Sequence, residues 1–212
     1  MMRVNAAAYP YLAGLTVVAL VALLIWPLAA IPFALASFAI AWFFRDPERT
    51  PPDAPGTMVA PADGRVFDVA EDEPNPFEPD GPREMQRISI FLSLINVHIN
   101  RAPCDGRVVR LQYIPGKFHH AGTPEAVREN ERQLIEIESP EFGTVVVVQS
   151  SGALVRKIVC NLTPGQMVKR GARFGLIKFG SRTDLYLSPK AAPAVSVGTR
   201  TLGGETIMGR LR

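Results

Sequence analysis

Cysteine and histidine are scarce in this chain. Of its 212 residues, two are cysteine and three are histidine. Cys104 and Cys160 form neither a Cys-x-x-Cys pair nor a disulfide framework, which favours a reduced cytoplasmic domain, and we expect both to be small, partly buried apolar residues. His98, His119 and His120 have no carboxylate or cysteine at a ligand spacing such as His-x-x-x-His, so we expect no metal site.

Charge is absent from one long segment. No charged residue occurs from 6 to 44, where the apolar runs Tyr11–Trp26 and Leu28–Phe44 are broken by Pro27 and Pro32. A helix crosses a bilayer with roughly 20 apolar residues, or about 17 at the short end. We therefore expect two short membrane spans joined by a turn. The alternatives are one long kinked helix, a re-entrant hairpin, a buried hairpin of a soluble core, and a signal peptide. The apolar stretch is about twice the usual length of the apolar region of a signal peptide.

The charges on either side of this segment are basic. Arg3 precedes it and Arg45 and Arg49 follow it, so a hairpin places the basic flanks on one side, which the positive-inside rule makes cytoplasmic. The net charge of +3 and the pI of about 9.1 suit a surface that faces anionic lipid headgroups. Because no Lys/Arg cluster with interleaved aromatic residues is present, we do not expect a nucleic-acid partner.

The remainder of the chain predicts a β domain. Short runs of β-branched residues recur between glycine and proline turn signals, which is typical of an antiparallel-rich β domain. The runs are Arg65–Val69, Gln86–Leu92, Gly106–Ile114, Gln133–Ser139, Gly143–Gln149 and Leu154–Cys160.

We therefore expect a membrane anchor over residues 1–44, a proline-rich linker over 45–56 and a domain over 57–212. The fold class is mainly β: a barrel-sandwich-like antiparallel β domain preceded by an N-terminal transmembrane helical hairpin. Glu71–Arg83 reads as an exposed loop, and Thr123–Asn130 is the main helix candidate of the domain, with its threonine as N-cap.

The bond between Gly180 and Ser181 is a candidate for self-cleavage. It lies in the segment Phe174–Thr183, which reads FGLIKFGSRT. A serine hydroxyl can attack the carbonyl of the preceding residue, and a preceding glycine obstructs this attack least. An isolated Gly-Ser pair is more often a turn signal after a strand.

Two further segments accompany this pair. Met58–Val66 reads MVAPADGRV, and Phe91–Gly106 reads FLSLINVHINRAPCDG. In their order and spacing, the three segments resemble the phosphatidylserine decarboxylase family, specifically its shorter, archaeal-type branch. The resemblance extends from about Phe44 to about Pro189.

This resemblance implies a pyruvoyl enzyme that decarboxylates phosphatidylserine to phosphatidylethanolamine. The proenzyme would cut itself between Gly180 and Ser181 into a β piece (1–180) and an α piece (181–212), which stay together as a heterodimer. Ser181 would become a covalent pyruvoyl group, the only cofactor, and would form a Schiff base with the substrate amine. The processing aspartate of the family's Pro-x-Asp-Gly motif falls on Asp63, and the family's histidine falls on His98.

The residue chemistry agrees with these roles. Histidine has an unperturbed pKa of about 6.5, which suits a base for Ser181, and Asp63 could orient His98 in a Ser-His-Asp arrangement. The longer branch of the family has a second histidine where this chain has Arg101, and an aspartate where it has Asn96. Whether His98 serves self-cleavage, decarboxylation or both is left open.

Basic residues are expected to hold the lipid phosphate. Arg101, Lys117 and Arg132 are the candidates, and His120 is a candidate for the substrate pocket. Two other functions stay open: a pyruvoyl decarboxylase of a related substrate, and a non-enzymatic, membrane-tethered β domain that acts as a carrier or scaffold. Leu162–Gly175 resembles a turn of carrier domains, but no Met-Lys-Met tip accompanies it.

Overall fold

The computed structural model describes residues 3–82, 84–120, 122–152, 157–178 and 181–212. The chain forms two compact units, residues 1–48 and residues 49–212.

The first unit is a helical hairpin. Helix α1 spans Tyr9–Ile25 and α2 spans Ile31–Phe43, and short 3₁₀ turns cover Ala6–Ala8 and Pro27–Ala30. Pro32 is accommodated in the first turn of α2, where its missing N–H breaks no helical hydrogen bond. The segment Ala6–Ile25 is long and apolar enough to cross a membrane, whereas the second helix is shorter.

The two ends of the hairpin lie side by side. The Asn5 amide donates to the Phe44 carbonyl at 2.8 Å, and the Asp46 amide donates to the Arg3 carbonyl at the same distance. An ion pair of 2.7 Å joins Arg3 to Glu48. Arg3 and Arg45 therefore lie at the same end of the hairpin.

The second unit is built almost entirely from strands, with one short helix, α3 (Pro124–Glu129). Its strands within the described ranges are β1 Thr57–Val59, β2 Gly64–Glu73, β3 Met85–Leu92, β4 Ile99–Arg101, β5 Gly106–Ile114, β6 Arg132–Ser139, β7 Gly143–Ser150, β8 Lys157–Cys160, β9 Met167–Val168, β10 Arg173–Lys178, β11 Ser181–Leu187, β12 Ala191–Pro193, β13 Arg200–Thr201 and β14 Ile207–Leu211.

These strands form three antiparallel sheets. The large sheet has the order β13-β2-β3-β11-β7-β6-β5-β9, and the two small sheets have the orders β1-β14-β12 and β4-β10-β8. One face of the large sheet and residues of the small sheets enclose a common apolar core, with members such as Ile90, Val147, Leu185, Phe174 and Met208. The prediction of a mainly antiparallel β domain behind N-terminal apolar helices is confirmed.

Strand β11 lies in the middle of the large sheet and is buried along its whole length. Side chains alternate across a strand, so Leu185 and Leu187 contribute to the main core. Tyr186 packs on the opposite face, in a second cluster with Leu134 and Val148. Ser181 falls on the core side of the strand, and Arg182 on the opposite side.

Three local expectations need adjustment. Strand β2 continues to Glu73, past the predicted start of the loop at Glu71: Glu73 pairs with Met85 in the ladder with β3 and forms an ion pair of 2.9 Å with Arg87. The predicted strand Leu154–Cys160 is observed from Lys157 onward, and its first three residues lie outside the described ranges. Thr123 occupies the predicted N-cap position of α3, but its hydroxyl makes no hydrogen bond to a described residue.

Candidate active site

Ser181 is the first residue of β11, and it is fully buried. Its backbone is paired with Leu92, the last residue of the neighbouring strand β3. Among the described residues, its Oγ has no hydrogen-bond partner. Gly180, the other half of the predicted cleavage site, lies outside the described residues. A buried, unpartnered hydroxyl is costly to keep, so it marks a candidate reactive group.

His98 lies beside the chain that leads to Ser181. Its backbone carbonyl accepts a hydrogen bond from the Ile177 amide at 3.2 Å, and its side chain is buried. The ring Nδ1 lies 3.0 Å from the Asn96 carbonyl oxygen. Because a carbonyl only accepts, Nδ1 carries the proton of the neutral ring and Nε2 carries the lone pair. This tautomer makes Nε2 the basic atom.

A tight turn connects β3 to His98. The Asn96 side-chain oxygen accepts hydrogen bonds from the Ser93 amide at 2.9 Å and from the Ser93 hydroxyl at 2.7 Å. The turn leaves Leu94 and Ile95 exposed at its tip. Asn96 therefore shapes the turn with its side chain and orients the histidine ring with its carbonyl.

Asp63 is held by two donors. Its Oδ2 accepts from Arg49 at 3.0 Å, and its Oδ1 accepts from the Gly203 amide at 2.7 Å. Arg49 also binds Glu205 at 2.9 Å. Gly64 is required after Asp63, because a Cβ there would lie 2.2 Å from the Phe91 carbonyl oxygen. Asp63 is thus fixed next to β3.

Asn100 is a buried residue that sequence reasoning missed. Its Nδ2 donates to the Thr183 hydroxyl at 3.1 Å and to the Pro61 carbonyl at 3.3 Å. Its Oδ1 accepts from Gln149 Nε2 at 2.9 Å. The available signal was its position two residues after His98, because in an extended segment side chains two residues apart point to the same side.

The four candidates for substrate binding have different surroundings. Arg101 is buried and donates to the Gly171 carbonyl at 3.0 Å. His120 stacks on Phe91 with ring centroids 5.6 Å apart, and Phe91 is adjacent to the residue paired with Ser181. The Arg101 amide also donates to the Pro61 carbonyl at 2.9 Å, so both candidates contact segments that carry site residues.

The other two candidates make contacts elsewhere. Lys117 is exposed and pairs with Glu129 at 2.9 Å, and His119 contacts the same carboxylate at 3.1 Å. Lys117 and then His119 lower the pKa of Glu129 by hydrogen bonding to it. Arg132 donates to the carbonyls of Arg128 and Asn130 at 2.7 and 3.2 Å. No group of three or more histidine, cysteine or acidic side chains within the described ranges could hold a metal ion.

A cavity of about 610 Å³ opens near Arg182, on the face of β11 opposite to Ser181. Its lining mixes charges of both signs, from Arg87, Arg128 and Arg182 and from Asp68, Glu73, Glu125 and Glu129.

Comparison with known proteins assigns the family. The family model for phosphatidylserine decarboxylase matches residues 37–209. The chain is 44% identical over 207 residues to the phosphatidylserine decarboxylase proenzyme of Granulibacter bethesdensis, covering 97% of this chain and 84% of that protein.

Two further relatives carry the same name. The protein of Pelobacter propionicus is 46% identical over 179 residues, covering 84% of this chain and 80% of the relative. The protein of Paramagnetospirillum magneticum is 40% identical over 208 residues, covering 98% of this chain and 87% of the relative. With a family model that spans most of its length and relatives at this level of identity, the chain belongs to the phosphatidylserine decarboxylase family.

Proposed function

We propose that this chain is a phosphatidylserine decarboxylase proenzyme that cuts itself between Gly180 and Ser181 and then converts phosphatidylserine to phosphatidylethanolamine. The observation that carries the proposal is the buried hydroxyl of Ser181 at the start of β11, which has no hydrogen-bond partner within the described ranges. The hydrogen bond between the His98 carbonyl and the amide of Ile177, four residues before Ser181, supports an acyl-transfer role. The finer assignment to the shorter, archaeal-type branch rests on Arg101 and Asn96 and stays a prediction.

His98 is the proposed base of self-cleavage. Its neutral tautomer has Nδ1 engaged by the Asn96 carbonyl, so Nε2 is the atom that can take the proton from Ser181 Oγ. In this structure a backbone carbonyl fixes the tautomer. We propose that Asp63, held by Arg49 and the Gly203 amide, adds a fixed negative charge that stabilises the protonated ring.

The cleavage chemistry then follows from these groups. Ser181 Oγ bonds to the Gly180 carbonyl carbon, and the peptide C–N bond breaks to give an ester and a free amine. Loss of the Ser181 Cα proton breaks the Cβ–Oγ bond and releases the Gly180 carboxylate. Addition of water to the remaining dehydroalanine releases ammonia and leaves a pyruvoyl group on the α piece.

The residues around Ser181 fit such a group. A pyruvoyl group lacks the serine hydroxyl, and Ser181 Oγ makes no hydrogen bond to a described residue that would be lost with it. When present, the group supplies a ketone carbonyl that takes the substrate amine and withdraws electrons from the C–C bond of the departing carboxylate. His98 would return a proton to the substrate Cα, and Arg101 and His120 are the best-placed candidates to contact the headgroup.

We propose that the helical hairpin anchors the protein in the cell membrane with the β domain on the cytoplasmic side. The adjacent ends of the hairpin support one shared side for Arg3 and Arg45, which the positive-inside rule makes cytoplasmic. The lipid bilayer is thus a partner, and the two cleavage pieces are partners of each other.

Intact mass spectrometry of the purified protein tests self-cleavage. We expect pieces of 180 and 32 residues, with a pyruvoyl group blocking the N-terminus of the smaller one, and we expect Ser181→Ala to stay intact. Ser150→Ala is the matched control, because Ser150 is also buried with an Oγ that lacks a partner among the described residues. It should cleave like the wild type. An intact wild-type chain would favour the non-enzymatic, membrane-tethered domain.

Vesicles that contain phosphatidylserine test the substrate. The cleaved protein should release carbon dioxide and produce phosphatidylethanolamine, detected by lipid mass spectrometry, and Ser181→Ala should produce neither. A cleaved, pyruvoyl-bearing protein that leaves phosphatidylserine unchanged would assign the chemistry to a related amino-acid or lipid substrate.

A further inference from the structure

The candidate site is built from three segments, which carry Asp63, His98 and Ser181. Asn100 belongs to the segment of His98, and its side chain is hydrogen-bonded to the other two. Its Nδ2 donates to the carbonyl of Pro61, two residues before Asp63, and to the hydroxyl of Thr183, two residues after Ser181. Asn100 itself follows His98 by two residues. One side chain therefore connects the strands and turns on which the proposed nucleophile, the base and the negatively charged Asp63 lie.

The orientation of this amide is fixed from both ends. The Pro61 carbonyl only accepts, so the NH₂ group of Asn100 must face it and Oδ1 must face the other way. There, Oδ1 accepts from Gln149 Nε2 at 2.9 Å. Gln149 is oriented in turn by the Val159 carbonyl, which accepts from the same Nε2 at 3.3 Å.

The whole cluster is shielded from water. Asn100, Gln149 and Thr183 are fully buried. In such surroundings hydrogen bonds are strong and a lost partner is costly, so a buried polar network defines one arrangement of the groups attached to it. Thr183 contributes to the ladders with β3 and β7, and Ser181 starts the same strand.

We propose that Asn100 is a positioning residue of the self-cleavage site. Its amide holds Thr183, and through the backbone of β11 it sets the position of Ser181 Oγ relative to His98. Thr183 belongs to the small piece and Asn100 to the large piece, so the same bond holds the new N-terminus in place after the cut. This inference rests on the proposed function, because it assumes cleavage before Ser181.

Thr183→Val tests the proposal with little change of shape. The valine keeps the branched side chain but removes the oxygen that accepts from Asn100. We expect the rate constant of cleavage, followed by intact mass over time, to fall by about tenfold or more, with an unchanged midpoint of its pH profile. Thr183→Ser restores the hydroxyl and should recover most of the rate.

Thr57→Val is the matched control for a lost buried hydroxyl. Thr57 lies in β1, which belongs to a different sheet, and it is also buried. Its Oγ1 donates to the Ala54 carbonyl and accepts from Arg170. This variant should cleave at the wild-type rate even if its melting temperature falls as much as that of Thr183→Val.

Each result has a distinct meaning. Cleavage of Thr183→Val at the wild-type rate, or equal slowing of Thr183→Val and Thr57→Val, would overturn the positioning role. If Thr183→Val does not fold, Gln149→Met replaces it: this change removes the donor that fixes the Asn100 amide, and it should slow cleavage severalfold. A wild-type chain that never cleaves would instead overturn the proposed function itself.

Discussion

Asp63 accepts from the charged Arg49 and from the neutral Gly203 amide, and this allows its charge to be tested at the residue scale. Asp63→Asn can keep the hydrogen bond from the Gly203 amide but removes the negative charge that faces Arg49. We expect cleavage to slow by about tenfold or more, since the protonated His98 loses a stabilising charge. The measurement is the rate of appearance of the small piece.

Glu205→Gln is the control for this change. It removes the other carboxylate that binds Arg49, at a more exposed position, and it should leave the cleavage rate unchanged. Asp63→Asn that cleaves as fast as Glu205→Gln would remove Asp63 from the proposed mechanism.

Cys104 makes the free energy of unfolding depend on pH in the alkaline range. Burial raises the pKa of its thiol to about 12 from an ordinary 9.0, although a hydrogen bond with Ser139 opposes the shift. The unfolded chain loses this proton at a lower pH than the folded chain does. The stabilisation is therefore complete below pH 9 and is lost as the pH rises from 9 towards 12.

Cys104→Ala should flatten that decline. Urea denaturation at a series of pH values measures it, and we expect the free energy of unfolding of the variant to fall less steeply above pH 9 than that of the wild type. Cys160→Ala, at a half-buried position, should change the slope less. Equal slopes for the wild type and Cys104→Ala would show that another group causes the alkaline loss.

The site residues divide by the kind of information that identifies them. Ser181 was predicted from the chemistry of the Gly-Ser pair, and His98 and Asp63 were predicted from the resemblance of their local segments to the family. Asn100 and Gln149 were not predicted, because their importance comes from contacts between strands that are distant in sequence, such as Asn100 with Thr183. A single asparagine or glutamine has no recognisable sequence pattern, because its hydrogen-bond partners are known only once the register of the sheet is known.

At the scale of the element, the face of β11 opposite to Ser181 carries a buried ion pair. Arg182 and Asp184 lie 2.6 Å apart, with side chains only 1% and 4% exposed. Arg182 also donates to the Ser89 hydroxyl at 2.9 Å and lies 4.9 Å from the centre of the Phe67 ring.

Removal of one partner leaves an uncompensated charge in the sheet. We expect Asp184→Asn to lower the free energy of unfolding by about 3–5 kcal/mol, measured by urea denaturation. Lys169→Gln breaks an exposed pair with Asp105 and should cost less than about 1 kcal/mol. Losses of equal size would indicate that Arg182 finds another partner when Asp184 is neutral.

The strands themselves were predicted unevenly. The runs Gln86–Leu92 and Gly106–Ile114 match β3 and β5 closely, because their β-branched residues and flanking turn signals are local. Strands β1, β4 and β9 to β14 were not predicted, and they include β11, which begins at Ser181. β4 has three residues, and its pairing with β10 depends on the fold more than on any local pattern.

At the scale of the whole molecule, the two compact units predict separate behaviour for the N-terminal hairpin. A chain that starts at Arg49 keeps its pair with Asp63 and every strand of the β domain. We expect the full chain in the membrane fraction after cell lysis and the shortened chain in the supernatant, still able to cleave itself. Retention of the shortened chain in the membrane fraction would assign lipid binding to the β domain as well.

The central position of β11 has a consequence for a chain that is cut at Ser181. The strand is hydrogen-bonded to β3 on one side and to β7 on the other, and β12 and β14, further along the small piece, form a sheet with β1. The break would therefore leave the pairings of Arg182 to Leu187 with β3 and of Arg182 to Tyr186 with β7 intact, and the protein would behave as a nicked single fold. Its 32-residue piece should leave only when the sheet unfolds, so gel filtration should separate the two pieces in denaturant and not in native buffer.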